Sequence, residues 1–133
     1  MMKGLDTNVL VRYLVRDDKK QAEKAGAYIR KAVASGESCF INNIVLCELV
    51  WVLESAYEYD KGAIADVLER ILATKQFELE RKDLTRQAVH DYKEGRGDLA
   101  DYLLGRINQA LGCDATVSFD RALKNATPFM VLD

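Results

Sequence analysis

Acidic side chains occur directly after two predicted strands and early in two predicted helices. Asp6 follows the short segment Met2–Leu5, and Asp120 follows the strand-like segment Ala115–Ser118. Glu48 lies in a helix that is entered after another strand. In parallel α/β sheets, ligands bind beyond the carboxyl ends of the strands. We therefore expect these acids to gather at one edge of a sheet, where they could bind a metal ion for hydrolysis.

A further pair of acids, Asp98 and Asp101, is spaced so that both side chains point to one side of a helix's first turn. The pair has two interpretations. With Asp98 as N-cap and Asp101 at the third helical position, it resembles a capping box, and both charges favour the positive helix end. The pair could also bind a cation, with Asp98 serving the helix and Asp101 the chemistry.

Asp6 and Asp120 also have purely structural explanations. Asp6 could cap the helix that follows it, although Thr7 and Asn8 could already do so. Having three cap-type residues in a row weakens that explanation. Asp120 could be an ordinary turn residue. Neither aspartate identifies a site by itself.

Glu48 has only apolar residues at its neighbouring helical positions. Three and four residues to either side lie Ile44, Val45, Trp51 and Val52. Burying a carboxylate among such residues is costly unless a positive or hydrogen-bonding group compensates it. Glu48 could instead extend to the surface or pair with an arginine. A metal ion is the more economical explanation.

Taken together, the five acids favour a metal site. Like charges a few ångströms apart repel one another, so a cluster of carboxylates is unstable without cations. Hard divalent ions with oxygen ligands suit such a cluster, so we expect Mg²⁺, with Mn²⁺ as a substitute. One ion would generate hydroxide, and the same or a second ion would stabilise charge on a phosphate and its leaving oxygen.

The composition indicates a soluble globular protein. The chain has 133 residues, a hydrophobic fraction of 49% and a net charge of −2. No apolar run reaches the roughly 18 residues of a membrane span, and the N-terminus lacks the apolar stretch of a signal peptide. We expect a cytoplasmic protein. The charge argues against a generic nucleic-acid coating protein but allows a nuclease whose acids are concentrated in one place.

The cysteines and the single histidine do not indicate a zinc site. Cys39, Cys47 and Cys113 lack C-x-x-C spacing, and their odd number argues against a disulfide framework. We expect all three to be small buried hydrophobic residues. His90 is expected at the surface, and one histidine cannot supply a histidine-based metal triad.

Apolar periodicity and capping residues predict short strands that alternate with helices. The predicted strands are Met2–Leu5, Cys39–Ile41, Phe77–Leu79, Ala115–Ser118 and Phe129–Leu132. The predicted helices begin at Thr7 or Asn8 and span Lys19–Ala34, Ile44–Tyr59, Lys61–Ala73, Asp83–Glu94 and Asp98–Leu111, with a helical turn over Arg121–Lys124. This alternation predicts an α/β sandwich with a largely parallel sheet.

Four segments resemble the motifs of PIN domains, in the order in which that family carries them. They are LDTNVL from Leu5, LCEL around Glu48, DLADYLL from Asp98 and TVSFD ending at Asp120. Each motif alone is unspecific, but the four together span nearly the whole chain. The resemblance implies a PIN-like three-layer α/β/α sandwich with a mainly parallel central sheet, in a single domain over residues 1–133.

The branch that the sequence most resembles is VapC, the toxin of type II toxin–antitoxin pairs. That resemblance implies a Mg²⁺-dependent endoribonuclease that acts on RNA, is commonly a homodimer and is inhibited by a cognate antitoxin protein. Asp6, Glu48 and Asp101 match the three core acids of the family. Asp120 matches the fourth, more variable acid, and Asp98 matches an acid near the site.

Substrate phosphates would need positive partners. The candidate cations are Arg12 and Arg16 on the helix that follows Asp6, Arg96 before Asp98, and Arg121 and Lys124 after Asp120. Solvated surface charge is the alternative for each of them. The hydroxyl of Ser118, where the family often has threonine, could orient a carboxylate. Three aromatic residues assigned to the long helix, Trp51, Tyr57 and Tyr59, are expected in the core, with a dimer or antitoxin contact as the alternative.

Two other functions remain possible from the sequence. A phosphatase with Asp6 as nucleophile would resemble haloacid-dehalogenase-like enzymes, but their D-x-D-x-T motif has a second aspartate where this chain has Asn8. A non-catalytic PIN-like module that binds RNA or protein is the other alternative. Such a module should have lost one or more acids, and none is missing here.

Overall fold

Parallel strands joined by crossover helices form the first part of the fold. In a computed structural model that describes residues 1–133, the chain forms two compact units, residues 1–82 and 83–133. The first unit contains a three-stranded sheet in the order β1 (Met2–Gly4), β2 (Ser38–Ile41) and β3 (Phe77–Leu79). Both pairings are parallel. Parallel neighbours need crossover connections, which are helical here.

Four helices complete the first unit: α1 (Thr7–Val15), α2 (Lys19–Ala34), α3 (Asn43–Ser55) and α4 (Lys61–Ala73). Three of them begin with a side chain that accepts a backbone N–H three residues later. These N-caps are Asp18, Asn42 and Asp60, with hydrogen bonds of 3.1, 2.9 and 2.8 Å. The core of this unit is aliphatic and includes the buried residues Leu10, Ile29, Ile41, Leu46, Leu49, Leu53, Ile64, Leu68 and Ile71.

A polar cluster ties α1 to the segment that follows α3. The hydroxyl of Tyr57 donates to Asp17 Oδ2 at 2.7 Å, and Arg12 Nη1 donates to Asp17 Oδ1 at 3.0 Å. Arg12 Nη1 also lies 3.2 Å from the Tyr57 oxygen, and Arg12 Nε donates to Gln21 at 2.6 Å. The hydrogen bond from Tyr57 lowers the pKa of the Asp17 carboxyl. The guanidinium of Arg12 is therefore fixed in position.

The second unit contains α5 (Lys82–Glu94), α6 (Leu99–Ala110), β4 (Thr116–Ser118), a 3₁₀ turn (Arg121–Leu123) and β5 (Phe129–Val131). Strands β4 and β5 pair in parallel. Arg106 on α6 makes two hydrogen bonds to the Asp91 carboxylate on α5, at 2.7 and 2.9 Å. Asn108 joins α6 to Thr116 at the start of β4, at 3.0 Å.

The predicted α/β arrangement with parallel strands is confirmed. The five strands pair as a sheet of three and a sheet of two, one in each unit. The single domain over residues 1–133 remains a prediction. No helix combines the length and the apolar character of a membrane span.

The long helix α3 ends earlier than predicted. It stops at Ser55 instead of Tyr59. The Ser55 hydroxyl bonds back to the Trp51 carbonyl, and the N–H of Tyr59 bonds to the Leu53 carbonyl, so the chain turns back after the last helical turn. Tyr57 and Tyr59 therefore follow the helix and are only half-buried.

Two of the burial predictions are wrong. Trp51 was expected in the core, but its side chain is 68% exposed because it lies on the outer face of α3. Cys113 is exposed in the turn after α6, and Cys47 is half-buried, so only Cys39 is a fully buried thiol. His90 is exposed, as predicted.

Helix α6 and strand β5 are in close contact at Gly105, which leaves no room for a side chain there. A Cβ at this position would lie 2.6 Å from Phe129 Cζ. We predict that Gly105→Ala destabilises the protein by about 1–3 kcal/mol because the Phe129 ring must move. Thermal unfolding followed by circular dichroism measures the change.

The matched control is Gly62→Ala in α4, where the nearest atom to an added Cβ is 3.6 Å away. That variant should be neutral or more stable by up to about 1 kcal/mol because alanine favours the helix. Equal melting temperatures for the two variants would contradict the packing at Gly105.

Candidate functional site

Thr7, which directly follows Asp6 in the chain, is hydrogen-bonded to Glu48, the other predicted acid of the first unit. The parallel pairing of β1 with β2 makes both strands end at one edge of the sheet, and α1 and α3 begin there. Thr7 Oγ1 donates a hydrogen bond of 2.8 Å to Glu48 Oε1 across 41 residues of sequence. This bond fixes one oxygen of the Glu48 carboxylate beside the first residue of α1, directly after Asp6.

Asp6 occupies the N-cap position of α1 without making the hydrogen bond typical of a cap. Its backbone is extended, with φ −76° and ψ 153°, but its side chain accepts no N–H from the helix. The N-caps of α2, α3 and α4 all make that bond. The expectation that Thr7 or Asn8 caps α1 is wrong, because the helix begins at Thr7. The exposed Asp6 carboxylate is thus available to a ligand.

Glu48 extends to the surface, as the alternative to burial predicted, so burial gives no reason for a metal ion beside it. Its side chain is exposed, because the neighbouring Ile44 and Trp51 are themselves 71% and 68% exposed. The helix turns Val45 into the core and leaves Glu48 on its outer face. Glu48 therefore accepts a hydrogen bond from Thr7 and does not need a buried counter-charge.

The second unit contains the other three acids. Asp101 Oδ2 accepts the backbone N–H of Asp98 at 3.3 Å, which is one half of the predicted capping box. The Asp98 side chain faces the Asp101 N–H without a well-formed hydrogen bond. Burial raises the pKa of the half-buried Asp101 carboxyl. The charges of Asp98 and Asp120 raise this pKa further, and the Asp98 N–H opposes the increase.

Asp120 is positioned by two hydrogen bonds in the turn after β4. Its Oδ1 accepts the N–H of Ala122 at 2.9 Å, and its own N–H donates to Ser118 Oγ at 3.0 Å. Ser118 therefore orients the backbone of Asp120 and contacts no carboxylate. One Asp120 oxygen caps the 3₁₀ turn, which confirms the structural explanation in part.

Tyr102 positions the loop that leads to Asp98. Its hydroxyl accepts the backbone N–H of Gly97 at 3.0 Å. A Cβ on Gly95 would overlap the Tyr102 side chain, and a Cβ on Gly97 would lie 2.7 Å from a Leu123 methyl group. The Gly-Arg-Gly segment is thus more than a helix breaker. Its two glycines allow the backbone to pack against the ring of Tyr102.

The predicted cations differ in their availability. Arg12 is bonded to Asp17, Tyr57 and Gln21. Arg16 is exposed and ends α1 with φ 62°. In the second unit, a cavity of about 630 Å³ is lined by several cations, which are Arg96, Arg106, Arg121 and Lys124. Arg106 is neutralised by Asp91, whereas the other three form no ion pair.

The acids form two groups, one in each unit: Asp6 and Glu48 in the first, and Asp98, Asp101 and Asp120 in the second. Both groups suit a hard divalent cation, because all the ligands would be carboxylate oxygens. No set of three or more His, Cys, Asp or Glu side chains has a geometry that could hold a metal ion. Burial raises the pKa of the Asp101 carboxyl most, and a cation would relieve the smaller like-charge contribution of Asp98 and Asp120. His90 lines the cavity in the second unit and has no acidic partner.

Sequence reasoning missed Thr7 and Tyr102. A signal for Thr7 was present, since only one of three consecutive cap-type residues can occupy the N-cap and the others are free to bond elsewhere. The pair of glycines around Arg96 was a signal for a close packing partner, but nothing in the sequence identified it as Tyr102.

Comparison with known proteins identifies the class. The PIN domain family model matches residues 4–127, and the chain belongs to this family. The chain is also 32% identical over 123 residues to the VapC ribonuclease of Aquifex aeolicus (strain VF5). The alignment covers 92% of this chain and 90% of that relative.

The interaction of Asp101 with the charge of Asp120 can be tested directly. We predict that Asp120→Asn lowers the pKa of the Asp101 carboxyl in the metal-free protein, because one of the two charges that raise it is removed. Burial remains, so this pKa should stay above the ordinary value of 3.8. Carboxyl carbon chemical shifts measured across a pH titration give the result.

Asp114→Asn is the matched control, since Asp114 is an exposed acid of the same unit that contributes nothing to the shift. Equal Asp101 titration curves in wild type and Asp120→Asn would show that the two carboxylates do not interact.

Proposed function

We propose that this chain is a metal-dependent endoribonuclease that hydrolyses RNA phosphodiester bonds, with Mg²⁺ as its cofactor and Mn²⁺ as a substitute. One observation carries the proposal. Asp6 is the only N-cap aspartate of the first unit whose carboxylate forgoes its capping hydrogen bond, and the residue that follows it, Thr7, is hydrogen-bonded to Glu48 of α3. The similarity to a VapC ribonuclease supports RNA as the substrate.

In this proposal Asp6 and Glu48 of the first unit and Asp101 and Asp120 of the second unit are metal ligands, and Asp98 lies close to Asp101. When bound, a divalent cation lowers the pKa of a coordinated water and withdraws charge from the phosphate. Thr7 orients Glu48 through its hydrogen bond and leaves Oε2 for ligation. The Ala122 N–H occupies Asp120 Oδ1 and leaves Oδ2. Asp6 contributes both of its oxygens, since no cap bond uses either.

The RNA backbone would be bound by the cavity of the second unit. Three of its cations, Arg96, Arg121 and Lys124, have no ion-pair partner, and Glu94 is the one lining acid besides the already paired Asp91. The whole protein has a net charge of −2, so this positive surface is local. Contacts between such cations and phosphate groups supply much of the free energy with which proteins bind nucleic acids. Arg16 and Ser118 are weaker candidates for substrate contact.

In the cell, we propose that the protein acts in the cytoplasm as the toxin of a toxin–antitoxin pair. The cognate antitoxin would cover the acids and block access of RNA. A homodimer is part of the same proposal. These assignments are supported by the resemblance of the four motifs to VapC and by the VapC relative.

We predict that the purified protein, freed of any antitoxin, cleaves structured RNA in Mg²⁺ or Mn²⁺ and is inactive in EDTA. Asp6→Asn and Asp101→Asn should each lose more activity than Thr7→Val, because they remove ligands directly. Thr7→Val removes a hydrogen bond to a ligand and should cost about 10- to 100-fold. Single-turnover cleavage of a labelled RNA measures all three variants.

Thr7→Ser is the matched control, because it keeps the hydroxyl and should retain most of the activity. Cleavage that persists undiminished in both aspartate variants would contradict the proposed ligand roles. The activity would then come from a contaminating nuclease, and this chain would be a non-catalytic PIN-like module.

We also predict that expression of the wild-type chain alone arrests bacterial growth and that Asp6→Asn relieves the arrest. The reason is that uninhibited RNA cleavage stops translation. Growth curves after induction, with protein levels checked by immunoblot, measure the effect. Normal growth of cells in which the immunoblot detects the wild-type chain would contradict the toxin assignment. The ribonuclease assignment would still be tested by the cleavage assay.

A further inference from the structure

A second cavity lies in the first unit beside Asp6. It has a volume of about 470 Å³ and is bounded by the end of β1, the first turns of α1 and one face of α2. The face of α2 carries Gln21, Lys24, Ala25 and Tyr28, which are spaced at helical intervals. Its volume lies within the range of about 300–1,000 Å³ that is typical of small-molecule pockets. Apart from Asp6, none of its lining residues takes part in the proposed hydrolysis.

The walls of the cavity suit a flat, mainly apolar group better than a phosphate. Leu5, Val9 and Ala25 contribute apolar surface, and the ring of Tyr28 is 42% exposed. Lys24 is the one lining cation without an ion-pair partner, because Arg12 is paired with Asp17.

The polar groups of the wall are already oriented. Arginine can only donate hydrogen bonds, so the oxygen of Gln21 must face Arg12 Nε, at 2.6 Å. The NH₂ group of Gln21 is then available as a donor. Arg12 is in turn fixed by Asp17 and Tyr57. A ligand would meet a wall that needs little reorganisation on binding, which favours affinity.

From this geometry we propose that the cavity binds one unpaired nucleobase of the RNA substrate, next to the phosphodiester bond that is cleaved. The base stacks on Tyr28, accepts a hydrogen bond from the Gln21 NH₂ group, and its flanking phosphate lies near Lys24. Sequence-specific recognition of RNA commonly uses unstacked bases that pack on aromatic side chains. This inference rests on the proposed ribonuclease function and makes the substrate single-stranded at the cleavage site.

The test uses a short oligoribonucleotide that the wild-type protein cleaves, in which each position is replaced in turn by an abasic ribonucleotide. We expect one position next to the cleaved bond where loss of the base slows wild-type cleavage about tenfold or more. In Tyr28→Ala, cleavage of the intact RNA should be slowed to a similar extent, and the abasic substitution should have no further effect. Tyr28→Phe should keep the wild-type profile, because it keeps the ring.

Lys31→Ala is the matched control, since Lys31 is exposed on α2 and does not line the cavity. It should reproduce the wild-type profile. If Tyr28→Ala cleaves RNA with the same abasic profile as wild type, the nucleobase site is overturned and the ribonuclease function stands. If Tyr28→Ala instead changes only the sedimentation coefficient, the cavity is a protein contact and the proposal is overturned. If the wild type cleaves no RNA in Mg²⁺, the proposed function itself fails.

Discussion

Parallel pairing between β1 and β2 determines where the first unit can place its acids. Because the two strands run in the same direction, the helices that follow them begin at the same sheet edge. Thr7 and Glu48 can meet there although 41 residues separate them. The strands are only three and four residues long, so few backbone hydrogen bonds fix the register between them. A slip of one residue would reverse which side chains face the core and would break this contact.

The acids of the two units experience different electrostatic environments. Asp6 and Glu48 are exposed, and water screens their charges. Asp101 is half-buried between Asp98 and Asp120, and its pKa is raised. Burial and the neighbouring charges therefore disfavour the ionised form of Asp101. The hydrogen bond from the Asp98 N–H to Asp101 Oδ2 holds these two residues together in spite of that cost.

Much of the fold could be predicted from the sequence. Helices α2 and α4 have the predicted bounds because periodicity and terminal residues agree, and the four motifs identified the PIN family correctly. The structural setting of Glu48 could not be predicted, because apolar neighbours at helical spacing do not reveal which face of α3 is covered. The contacts of Thr7 with Glu48 and of Tyr102 with Gly97 depend on tertiary packing, which periodicity does not encode. The ligand roles of the five acids remain predictions.

The uncapped start of α1 implies a trade between stability and activity. An N-cap side chain that bonds to its helix contributes about 1 kcal/mol, and the Asp6 carboxylate forgoes that contribution. Selection for a stable fold alone would favour a serine or asparagine that closes the turn. Proteins often break such a local rule at functional sites, which agrees with the proposed ligand role of Asp6. With Asp6 as the proposed metal ligand, screens for thermostable variants of this chain would recover inactive proteins altered at this position.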